Sequence, residues 1–64
     1  MLDYFKLILE KVSFDKQLFE KELRKALAYL QTQEQESLKK WCYAKFGVQY
    51  GNILNSQFNK MVLS

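Results

Sequence analysis

Proline is absent from this chain, and glycine occurs only at Gly47 and Gly51. These two residues disfavour a helix interior most, by about 3 and 1 kcal/mol relative to alanine. They are also the residues that tight β turns draw on. Sixty-four residues so depleted in both point to a few long helices and away from a turn-rich β protein.

The apolar residues recur at helical spacing in four stretches. Over about 2–12, Met1, Leu2, Tyr4, Phe5, Ile8, Leu9 and Val12 fill one wide arc of the helical wheel, with Leu7 alone among the polar positions. An arc that wide suits a helix gripped by two others. Ser13-Phe14-Asp15 interrupts the pattern, and Asp15 is a good N-cap for a second helix over about 16–31. Phe14 would then stand at N′ and Phe19 at N4, the spacing of a hydrophobic staple. Phe19, Leu23, Ala26, Leu27 and Leu30 form its inner stripe, and Glu20 with Arg24 offers an i,i+4 ion pair outside.

A third helix is expected over about 33–46. Thr32 and Gln35 have the spacing of a capping box, Leu38, Cys42 and Phe46 form the inner edge beside Trp41, and Glu36 can pair with Lys40. Gly47 reads as the left-handed residue closing that helix, with Val48 folding back on Tyr43. The last stretch, about 49–58, has Tyr50, Ile53, Leu54 and Phe58 at helical spacing, although Gly51, Asn52, Asn55 and Ser56 within it and Asn59 just beyond weaken it. The expected fold is all-α: one domain over 1–64, a compact bundle of three main helices plus a shorter C-terminal helix. Residues 59–64 would form a frayed or partner-binding tail. Short connections favour up-down neighbours.

A chain of this length buries only about 60% of its unfolded surface, so a disulfide, a metal, a partner or very good packing has to help. Cys42 is the sole cysteine and histidine is absent, so neither a bridge within the chain nor a zinc site is expected. Packing and self-association remain.

The same absences bear on chemistry. Without histidine, no Ser-His or Cys-His nucleophile can be assembled. No phosphate-binding glycine loop or metal-ligand spacing occurs. Glu20 with Glu22, and Glu34 with Glu36, are i,i+2 pairs that point to different sides of a helix. The chain is therefore expected to be non-enzymatic, with no catalytic residue, cofactor or metal. Cys42 could be a redox thiol near Lys39 and Lys45, but its place on the Leu38–Phe46 stripe makes it a small core side chain.

Two kinds of partner then compete. Leu18 and Tyr29 flank the inner stripe of the second helix. With Leu7, and with Phe58, Met61, Val62 and Leu63 near the C-terminus, they are apolar groups that a small core may leave for a protein partner. Tyr43 lies among Lys39, Lys40 and Glu36, where its ring could pack on a partner, stack on a base or simply cover the helix. Lys21, Arg24 and Lys25, with Lys39 and Lys40, are the candidate phosphate contacts of a nucleic-acid-binding regulator. Against that, Glu20 and Glu22 interleave with them, and the net charge of +3 is spread without any block of one sign. A protein-interaction module, as homodimer or adaptor, is the main expectation and nucleic-acid binding the alternative. The longest apolar run, Leu7–Leu9, is far short of a membrane span, and no basic stretch precedes an apolar one at the N-terminus. With one cysteine, this points to a cytoplasmic protein with no membrane partner.

The stretches Leu18-Phe19-Glu20-Lys21-Glu22-Leu23-Arg24-Lys25-Ala26 and Leu38-Lys39-Lys40-Trp41-Cys42-Tyr43-Ala44-Lys45-Phe46-Gly47 resemble those of short uncharacterised bacterial proteins from Bacteroidetes-type genomes. The likeness covers most of the chain up to Phe58. It implies a bacterial cytoplasmic setting and carries no assigned activity.

Overall fold

In the computed structural model the backbone is described for residues 1–62 and the side chains for residues 1–59. Three helices follow one another: α1 (Leu2–Lys11), α2 (Lys16–Tyr29) and α3 (Thr32–Val62). All three contact one another around one core.

The α1–α2 turn is set by Asp15. Its backbone is extended (φ −127°, ψ 114°), and its carboxylate accepts the N–H groups of Gln17 and Leu18 at 2.9 and 3.2 Å. That satisfies two donors the helix start leaves unpaired. The staple expected beside this cap is not made: Phe19 is fully buried, whereas Phe14 is 79% exposed in the turn. With α1 ending at Lys11, the three-residue turn 12–14 carries Phe14 outward, away from Phe19.

At the α2–α3 junction the caps sit one residue from where the spacing put them. Gln31, not Thr32, precedes the first turn, and its N–H donates to Glu34 Oε1 at 3.3 Å. Gln35 serves the other helix. Its Nε2 donates to the carbonyls of Leu27 and Leu30, both at 2.8 Å, closing the C-terminal end of α2. Leu30, extended at ψ 148°, turns the chain in this tight link.

The separate fourth helix expected over 49–58 is not seen. That segment belongs to α3, which continues through Gly47 with no glycine in the left-handed region among the described residues. Val48 is fully exposed and makes no fold-back contact in the core. The irregularity falls later, at Tyr50 (φ −125°, ψ 27°). A straight helix of 31 residues would be about 46 Å long at 1.5 Å per residue. The longest dimension of the molecule is 28 Å, so α3 bends back on itself at this residue.

The bend is favoured by what each arm can bury. The first arm contributes Leu38, Cys42 and Phe46; the second contributes Ile53, Leu54, Gln57 and Phe58. Tyr50 itself is buried, its ring stacked on Phe19 at 4.5 Å between centroids, and its hydroxyl donates to the Ser13 carbonyl. The hinge is thereby tied to the α1–α2 turn. Phe19 also meets Phe46 edge to face at 5.0 Å. Gln57 Nε2 donates to Glu20 Oε2 at 3.3 Å, so Glu20 faces the second arm of α3 instead of pairing with Arg24.

Trp41 closes the seam between α1 and α3. It stands edge-on to Phe46 at 5.6 Å, with the ammonium groups of Lys6 and Lys45 over its ring at 5.8 and 5.6 Å. Lys45 also pairs with Glu10 across the seam. Cation–π contacts at partly exposed sites contribute about 0.5–1 kcal/mol each, less than the burial of Leu9 or Phe19.

Candidate interaction surface

The core accounts for Phe5 and Leu9 of α1 but leaves the rest of the wide apolar arc unfinished. Met1 is 66% and Tyr4 57% exposed, so these two are not the core positions that the arc suggested. The reason is positional. At 100° per residue, Tyr4 lies about 120° around the helix from the midpoint of Phe5 and Leu9. α2 and α3 cover that midpoint and not its flank.

On α2 the complementary flank consists of Leu18, Glu22, Lys25 and Tyr29, at i, i+4, i+7 and i+11. Tyr29 is 74% exposed and Leu18 is more than a third exposed. Between the two flanks runs an open groove of about 340 Å³ lined by Met1, Tyr4, Phe5, Ile8, Glu22, Lys25 and Tyr29. Its aromatic walls are continuous with the core: Tyr4 meets Phe5 edge to face at 5.5 Å, and Phe5 meets Tyr29 at 6.1 Å. Glu22 and Lys25 pair at 3.5 Å along its α2 side. The groove thus has helical walls lined by aromatic rings and one charge of each sign.

Of the residues singled out from the sequence, Leu18 and Tyr29 stand on this face. Tyr43 does not: it is half-buried, its ring lies 6.2 Å from that of Phe58, and its hydroxyl donates to Asn55 Oδ1. It therefore fastens the two arms of α3 together. Phe58 is a core residue, which removes it from the surface. The side chains of Met61 and Val62, and Leu63 as a whole, lie outside the described residues. In the sequence pattern Met1, Tyr4 and Ile8 merge with the core positions into one undivided arc, which hides them as surface residues. The angular offset of Tyr4 was the available signal.

The basic candidates are exposed, but they are divided between helices. Lys21, Arg24 and Lys25 ride on α2, with Lys25 held by Glu22. Lys39 and Lys40 ride on α3, where Lys40 lies on the side opposite Leu38, Cys42 and Phe46.

Cys42 is fully buried, and burial pushes its thiol from an ordinary 9.0 up to about 12, partly opposed by the charge of Lys6. A thiol so far from ionisation is a poor nucleophile at neutral pH. Among the described residues no three Cys, Asp or Glu side chains group as metal ligands would, and no helix is long and apolar enough to cross a membrane.

No family model, curated protein or solved structure matches this chain.

Proposed function

We propose that the chain is a non-enzymatic protein-interaction module of the bacterial cytoplasm that docks through the groove between α1 and α2. The observation that carries this reading is the exposure of Met1, Tyr4 and Tyr29 around one apolar depression. Large side chains scattered singly over a surface need no explanation, but grouped ones mark partner surfaces. Tyrosine suits such a role, since it offers a large contact area with few rotamers to freeze and a hydroxyl for the rim. A phosphate backbone would fit this face poorly, because Glu22 sits in its middle beside Lys25.

The test is photo-crosslinking in the producing cell, with a benzophenone amino acid in place of Tyr29 and, as control, of Val48. Protein adducts at position 29 and not at 48 are the expected result. Adducts with nucleic acid alone would favour the alternative in which Lys21, Arg24, Lys25, Lys39 and Lys40 contact phosphate. No adduct at 29, or equal adducts at both positions, would overturn the reading.

A further inference from the structure

The outer face of α2 is palindromic in chemical character. Leu18, Glu22, Lys25 and Tyr29 read apolar, acidic, basic, apolar, and they are placed symmetrically about the point between Leu23 and Arg24. Two antiparallel copies of α2 related by a two-fold axis at that point would bring Leu18 level with Tyr29 of the other copy. Glu22 would likewise stand level with Lys25 of the other copy. Each position meets its complement twice, which is the condition for an isologous interface. A foreign partner would have no need of such symmetry in this chain.

We infer that the occupant of the α1–α2 face is a second copy of the same chain, packed antiparallel through α2, with Tyr4 and Met1 of each copy flanking the seam. This rests on the reading of that face as a protein-docking surface and narrows it to one partner. The ion pair is central to the geometry. Glu22 is half-buried and already within 3.5 Å of Lys25 in one chain, so in the dimer the four charges close into a ring of alternating sign. Such pairs fix register and exclude wrong partners more than they add affinity.

The area bounds the class of contact. α2, at 14 residues, is about 21 Å long, and two helices side by side are about 20 Å wide, so the face offers roughly 400 Å² per copy. A standard stable interface takes about 800 Å² per partner. A face of half the standard size suits a transient contact, so association is to be sought at high concentration.

Sedimentation equilibrium of the intact protein from about 10 μM to 1 mM, a range set by that modest area, tests the inference. The expected average mass rises from one chain of 7.7 kDa toward two. Glu22→Lys and Lys25→Glu each place like charges together twice across the seam, and each alone should weaken association by at least about tenfold. Mixed in equal amounts, with one variant labelled with nitrogen-15, the two variants become complementary, and a heterodimer should return, identified by its intermediate mass in native mass spectrometry. Tyr29→Asp, at a position well outside the core, should weaken association similarly, and circular dichroism at 10 μM confirms that each variant is folded.

A wild-type protein monomeric throughout overturns the inference, and so does a Glu22→Lys variant that dimerises like the wild type. Failure of the mixture to associate overturns it too. The crosslink at position 29 separates this from the broader reading. An adduct with a larger protein in the absence of self-association leaves the docking surface standing and removes only the second copy as its occupant.

Discussion

At the scale of single residues, Cys42 shows how burial decides chemistry. Its pKa in the folded chain is raised, so below pH 9 the thiol is neutral in both states and its contribution to stability is intact. Between 9 and about 12 the unfolded chain ionises and the folded one does not, so stability falls as the pH rises. The loss should reach up to a few kcal/mol. Urea melts from pH 8 to 11 should show a steeper decline for the wild type than for Cys42→Ala, which controls for every pH effect that does not involve the thiol. An equal decline in both would place the thiol in water. Cys42→Ser should cost about 1–3 kcal/mol at neutral pH, because it moves a hydroxyl out of water into a core position filled by a small apolar side chain. A thiol reagent should modify the native protein slowly and the denatured protein fast.

At the scale of elements, the two glycines discriminate between a helix end and a helix interior. If Gly47 closed α3 in a left-handed conformation, alanine there would be destabilising. In α3 as it stands, a Cβ on Gly47 would meet the Tyr43 ring at an ordinary 4.0 Å, and one on Gly51 would meet nothing within 4 Å. Gly47→Ala and Gly51→Ala should therefore each stabilise the protein by about 0.5–1 kcal/mol, read as raised melting temperatures. A fall at position 47 would restore the helix end there.

That contrast also marks how far the sequence could be read. α1, α2 and the Asp15 cap were legible because periodicity and cap chemistry are local. The core stripes Phe19–Leu30 and Leu38–Phe46 were legible for the same reason. The continuation of α3 was not, because glycine and asparagine lower local propensity, whereas Ile53, Leu54 and Phe58 gain their burial from a core assembled by residues distant in sequence. Half of the candidate surface, Leu18 and Tyr29, was visible as residues off the stripe. The α1 half was hidden because a wheel shows which residues are apolar but not how much of the arc neighbours will cover.

At the scale of the whole molecule, stability rests on the second arm of α3 closing the core. Phe58 is buried and sits beside Tyr43, which joins it to the first arm. Phe58→Ala should cost about 3–5 kcal/mol, a large share of what so small a domain commands. Truncation after Gln57 should be at least as damaging, measured by chemical denaturation at a concentration below that of self-association. An undiminished midpoint would mean that the second arm contributes little to the fold. The position of Trp41 has a further consequence. It is the only indole in the chain, and it stands at the α1–α3 seam beneath two lysines, whereas the apolar groove lies between α1 and α2. Its fluorescence is therefore an optical gauge of whether α1 is docked on α3, blind to whatever occupies the groove. Emission should shift to the red as the chain unfolds and stay constant on dilution through any association range, so that folding and assembly can be followed separately in one cuvette.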